Sequence, residues 1–109
     1  MHHQVKIGCR ILAELGADMI KTFYTNNFKE VVTGCPAPVF ALRASRLPTP
    51  LDALRLAARE IGDGAQGVVF GRNALQVDDP INFQSALMAV VKRDATPEAA
   101  WNAIANLPR

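Results

Sequence analysis

Lys21 is the first residue whose type and setting suggest chemistry, because it interrupts the apolar run around Met19, Ile20 and Phe23. A lysine inside a buried strand loses hydration, which favours the neutral amine. A neutral amine attacks a carbonyl carbon and forms a Schiff base. The same place also suits a lysine that runs its stem along apolar surface to water, or one that pairs with an acid. Gly71-Arg72-Asn73 follows a second apolar run and opens onto Ala74-Leu75-Gln76. A glycine lets backbone N–H groups approach an anion closely, a helical start adds positive dipole, and Arg72 can pair with phosphate oxygens. A plain turn has the same composition. Arg43-Ala44-Ser45-Arg46 is a third polar stretch after apolar residues. Tyr24 either offers a hydroxyl or packs its loop.

Other reactive side chains point to little chemistry. Cys9 and Cys35 form no CxxC pair, and nothing near them in sequence would activate a thiolate. They read as two reduced, mostly buried thiols. His2 and His3 stand at the N-terminus without an acidic or cysteine partner beside them, so a frayed end is expected there, not a metal site. No metal and no cofactor are expected.

Composition excludes several function classes. The 109 residues are half apolar and one-fifth charged, the balance of a globular protein. The net charge is +2 and the pI about 8.8, with Lys and Arg scattered among the acids. Nucleic-acid binding usually needs a concentrated basic face, so no such partner is expected. No apolar stretch reaches the length of a membrane span, and the first residues lack the pattern of a signal peptide. A cytoplasmic protein with no membrane partner is the expectation.

The elements that must position Lys21 and the two polar turns follow from pattern. Ile7, Ile11, Leu12 and Leu15 share one helical face over about Val5 to Leu15, and Gly16 is a natural stop. A buried strand is expected over Ala17 to Phe23, a short helix over Phe28 to Thr33, and a strand over Val39 to Leu42. Thr49-Pro50-Leu51-Asp52 has an N-cap, a proline at the first helical position and an acid where a capping box wants one. Leu51, Leu54, Ala58 and Ile61 give that helix its stripe. A third strand spans Gly67 to Phe70. Asp79-Pro80 starts a helix lined by Phe83, Leu87, Val90 and Val91, and Thr96-Pro97-Glu98 starts a last one holding Trp101, Ile104 and Leu107. The order α-β-α-β-α-β-α-α implies an α/β fold of parallel strands covered by helices. Function in such sheets gathers at the C-terminal strand ends, where Lys21, Arg43 and Gly71-Arg72 all fall.

Three segments together carry a family resemblance: Ala17 through Thr25 around the lysine, Val32-Thr33-Gly34-Cys35-Pro36-Ala37-Pro38-Val39, and Gly67 through Gln76. They resemble the class I, Schiff-base aldolase superfamily: archaeal-type fructose-bisphosphate aldolases, autoinducer-2-phosphate thiolases and deoxyribose-phosphate aldolases. The resemblance implies a (β/α)8, or TIM, barrel. The chain would be one partial barrel segment over residues 1–109, carrying strands six to eight. Lys21 would be the catalytic lysine at the end of strand six. Gly71 and Arg72 would hold the substrate phosphate after strand eight. After strand seven the family keeps a Gly-Gly pair; here Arg43-Ala44 stands in that place, and Arg43 would contact the phosphate itself.

The implied function is a class I carbon–carbon lyase, or a related acyltransferase, acting on a phosphorylated keto sugar. Full barrels need about 250 residues. The first five strands, with the family's acidic and tyrosine proton shuttles, would be missing here. Three parallel strands cannot close a barrel and leave open edges. A truncated protein is therefore expected, with self-association or a partner chain supplying the missing strands. The competing readings are a non-catalytic remnant that binds phosphate or a partner, and a small independent α/β domain without a site.

Overall fold

The computed structural model describes residues 1–43, 47–71 and 79–105. Two compact units share the chain: Met1–Arg43 with Glu60–Val69, and Ala44–Arg59 with Phe70–Arg109.

The first unit holds helix α1 (His2–Glu14), strand β1 (Ile20–Phe23), helix α2 (Phe28–Thr33), strand β2 (Val39–Leu42) and strand β3 (Gly67–Val69). The strands form one parallel sheet in the order β1-β2-β3. In its register Lys21 lies opposite Phe40, and Phe40 opposite Gly67. The expected α/β class with parallel strands and covering helices is the observed one. Ile20, Val39 and Ala41 are buried with Cys9, Phe28, Val31, Cys35 and Ala65 in a single core cluster.

Helix α1 stops as its glycine dictates. Gly16 takes φ 103°, and the Gly16 and Ala17 amides return to the carbonyls of Ala13 and Leu12. Only glycine enters this left-handed region without a Cβ penalty.

The face that α1 buries is not the one expected. Val5, Cys9 and Ala13 turn to the core, while Ile7, Ile11, Leu12 and Leu15 stay exposed. The helix has two apolar stripes, and the one with the smaller side chains, Val5, Cys9 and Ala13, takes the core. The N-terminus is not frayed either: His2 is helical and its Nδ1 lies 2.8 Å from Thr25 Oγ1.

In the second unit, helix α4 (Pro80–Arg93) and helix α5 (Pro97–Ala105) pack together. Phe83, Ala86, Val90 and Ala100 are buried. Both helices begin as expected. Asp79 Oδ1 accepts the Asn82 amide at 3.2 Å, and Thr96 Oγ1 accepts the Ala99 amide at 3.2 Å.

Helix α3 (Pro50–Gly62) gives residues 50–59 to the second unit and 60–62 to the first. Its burial reaches beyond the expected stripe. Ala53, Leu54, Leu56, Ala57 and Glu60 are buried, whereas Leu51, Ala58 and Ile61 are only half-buried. Arg55 Nε donates to Glu98 Oε1 at 3.2 Å, tying α3 to α5. The Glu98 carboxyl is held below its ordinary value by its own backbone N–H first, then by Arg55.

The α3 cap is a reciprocal pair. Thr49 Oγ1 accepts the Asp52 amide at 3.1 Å and donates to Asp52 Oδ2 at 2.9 Å. Thr49→Ala is expected to cost about 1 kcal/mol, read as a lower urea midpoint at unchanged slope. No helix of the described residues is long and apolar enough to cross a membrane.

Candidate active site

Alternation along β1 decides where Lys21 points. Ile20 and Thr22 face α1 and the core, so Lys21 and Phe23 face the other way. In-register pairing puts Phe40 and Leu42 of β2, and Gly67 and Val69 of β3, on that same face. Lys21 is exposed there, and Phe23 is 45% exposed. The expectation of a buried lysine is therefore corrected. In the first unit the helices cover one face of a four-residue strand, and the lysine stands on the opposite face. Among the described residues no carboxylate pairs with its ammonium.

The surroundings of Lys21 are otherwise apolar. Phe23, Phe40, Leu42 and Val69 supply hydrocarbon, and Gly67 supplies bare backbone. No other described residue on these three strands' open face is titratable. Such a face presents a primary amine to a carbonyl compound with little competition from neighbouring acids.

The loop leaving β1 is pinned from two sides. Tyr24 Oη donates to Asp63 Oδ2 at 2.6 Å, and its ring lies 5.1 Å from Phe28, centroid to centroid. Tyr24 thus has a structural role in loop packing. Thr25 is buried and meets His2. His2 Nε2 also lies 3.4 Å from Glu30 Oε2, and Lys6 Nζ lies 3.5 Å from the same oxygen. The His2 hydrogen bond first, then the Lys6 charge, hold the Glu30 carboxyl below its ordinary value. The His2–Thr25 contact escaped the sequence reading. Its one signal was the i, i+4 spacing of His2 and Lys6, which aligns them on one side of α1.

Two of the expected phosphate ligands lie among the described residues. Arg43 is exposed, one residue beyond β2, in the first unit. Gly71 is exposed, two residues beyond β3, in the second unit. Arg72 lies outside the described residues, as does Ala44.

Cys9 and Cys35 are free and buried, and Cys35 Sγ donates to the Cys9 carbonyl at 3.6 Å. Burial pushes the Cys9 thiol up, against a hydrogen bond with Thr22 that lowers it. Burial is the larger of the two effects, and it opposes thiolate formation. An aromatic disulfide reagent is expected to label neither cysteine in the native chain and both once urea unfolds it; fast native labelling would contradict this. Among the described residues no group of three or more His, Cys, Asp or Glu side chains could hold a metal ion.

Comparison with known proteins identifies the fold and the family. Residues 2–77 match the model of the DeoC/LacD family aldolase. The chain is 38% identical over 96 residues to the 3-hydroxy-5-phosphonooxypentane-2,4-dione thiolase of Escherichia coli K12. That similarity covers 87% of this chain and 33% of the thiolase, so the chain spans about a third of the length of the curated relatives it matches. The structure is similar to an archaeal fructose 1,6-bisphosphate aldolase, with a TM-score of 0.77 and 32% identity over 84% of this chain and 38% of that one. A further structure of an archaeal fructose-1,6-bisphosphate aldolase, with the catalytic Lys covalently bound to the carbinolamine intermediate of the substrate, aligns with a TM-score of 0.77 and 30% identity over the same shares. With three parallel strands, their covering helices and a family match over residues 2–77, the chain belongs to the DeoC/LacD family of aldolases.

Proposed function

We propose that Lys21 is a Schiff-base nucleophile for a phosphorylated keto sugar, in a chain that forms one segment, strands six to eight, of an aldolase-type barrel. The observation that carries this reading is the lysine amine itself. It stands without an acidic partner among the described residues, on the open face of a parallel sheet. A similar solved structure holds its catalytic Lys as a carbinolamine.

Once its ammonium has lost a proton, the Lys21 amine attacks the keto carbon, the carbonyl electrons pass to oxygen, and that oxygen takes the proton that the nitrogen gives up. This carbinolamine loses its hydroxyl as water and leaves an iminium. The β-hydroxyl then gives up its proton and becomes the carbonyl of a departing aldehyde, while the electron pair of the bond between the α- and β-carbons moves to the iminium and leaves an enamine. Arg43, Gly71 and Arg72 hold the phosphate in this proposal, Arg43 and Arg72 by charge-assisted hydrogen bonds and Gly71 through its backbone.

Carbinolamine dehydration and bond cleavage both need proton transfer. The described open face offers no carboxylate or tyrosine for it. At an exposed amine bulk water can carry the proton for dehydration, whereas cleavage needs a positioned acid or base, so imine formation is the step assigned to this chain alone. Cleavage is assigned to an assembly in which a second copy or a partner chain supplies the remaining strands and their acids. The alternative, a non-catalytic remnant that binds phosphate compounds, is favoured by this same lack of proton shuttles; turnover by the purified chain would exclude it.

Borohydride added to the chain with dihydroxyacetone phosphate tests the reading. A reduced adduct is expected on the peptide containing Lys21 and not on those of Lys6, Lys29 or Lys92. No adduct, or equal labelling of all four lysines, would count against it.

A further inference from the structure

Gly67 lies inside β3, where a glycine weakens a strand for want of a side chain to pack. Its backbone does not demand glycine: the described glycines with positive φ are Gly16 and Gly64. What demands it is the neighbouring ring. A Cβ built on Gly67 would stand 2.9 Å from both Cδ1 and Cε1 of Phe40. Two ring carbons at that distance cannot yield as the end of a flexible chain yields. The Phe40 ring therefore lies directly on the Gly67 backbone, and Gly67 is buried beneath it.

The register gives this contact its meaning. Lys21, Phe40 and Gly67 form one row across the three strands, with Phe40 in the middle. Adjacent strands are about 4.8 Å apart, so a ring in the middle can cover only one neighbour at a time. Leaning on Gly67, it leans away from Lys21, and Lys21 is exposed. A side chain at 67 would expel the ring into another staggered rotamer, upright or toward β1, where it stands over the amine.

We propose that Gly67 sets access to Lys21: by leaving Phe40 a place to lie on β3, it clears the space in which a carbonyl compound reaches the amine. Gly67 and Phe40 are positioning residues here, and the proposal rests on the reading of Lys21 as the Schiff-base nucleophile.

Site-resolved borohydride trapping with dihydroxyacetone phosphate tests it. Gly67→Ala is expected to slow adduct formation at Lys21 by about tenfold or more, while the double variant Gly67→Ala/Phe40→Ala returns to within about threefold of the parent rate. Phe40→Trp, with Gly67 intact, should slow trapping as well, and gives an answer if Gly67→Ala does not fold. A Gly67→Ala rate equal to the parent's, or a folded double variant as slow as the single, overturns the proposal.

If the parent chain forms no adduct at all, the Schiff-base reading fails on its own. Access is then read by reductive alkylation of Lys21 with benzaldehyde relative to formaldehyde. Gly67→Ala should lower that ratio at Lys21 and leave it unchanged at Lys6 and Lys29. An unchanged ratio at Lys21 overturns the proposal independently.

Discussion

Lys21→Arg is expected to lower borohydride-stable labelling of the residue-21 peptide by at least about a hundredfold, to the level of a reaction without the nucleophile. Arginine keeps the positive charge that would attract a phosphorylated substrate. Its guanidinium stays protonated throughout the usable pH range and offers no amine lone pair. Charge and nucleophilicity are thereby separated in one substitution. Lys21 is exposed and has no ion-pair partner among the described residues, so the fold should change by less than about 0.5 kcal/mol. Mass spectrometry of the digested peptide reads the first effect and a urea titration the second. Undiminished labelling at other lysines would show that the carbonyl compound had been consumed without selectivity.

Phe28→Ala is expected to be the most damaging substitution for stability. The ring is fully buried, and it packs at a tilt of 49° against Tyr24. It also anchors α2, whose six residues are too few to hold a helix without tertiary packing. Deleting a buried ring costs about 3–5 kcal/mol through lost transfer energy and the cavity left behind. Against a typical total of about 5–15 kcal/mol, that is a large fraction of the stability. The melting midpoint, followed by far-ultraviolet circular dichroism, should fall by roughly 15 °C or more. A shift under a few degrees would mean that the site collapses around the smaller side chain.

Much of the fold was legible because its punctuation is local. Thr49, Asp79 and Thr96 each precede a proline, and each caps the helix that the proline begins. The strand over Val39–Leu42 has the expected bounds, since Pro36 and Pro38 leave little choice but an extended approach. Facing is a different matter, because it depends on partners distant in sequence. Helix α1 has two apolar stripes, and periodicity cannot choose between Val5-Cys9-Ala13 and Ile7-Ile11-Leu15. The side chains of β1, α2 and β2 that meet α1 in the core make that choice.

The same limit explains Lys21. Its strand was legible, but which side of the strand is covered is decided by α1 and α2, so the lysine is exposed where burial was expected. Glu60 is buried within a helix whose apolar positions gave no hint of a charge inside. The phosphate ligands Arg43, Gly71 and Arg72 rest on family resemblance, because a polar turn after a strand has no pattern of its own that separates a ligand from a plain loop. Gly67 looked like the first residue of a strand; only the register, which sets it in a row with Phe40 and Lys21, gives it a further part.

The contact between His2 and Thr25 turns the N-terminus into a listening post. Thr25 sits two residues beyond the end of β1, and His2 touches it at 2.8 Å. The chain has only two histidines, and His3 beside it is exposed. In a proton spectrum the His3 ring supplies an internal reference, and the His2 ring reports on the loop that follows the lysine. Titrating a phosphorylated ketone into the chain should move the His2 resonances whenever that loop responds, before any bond is trapped and without a label.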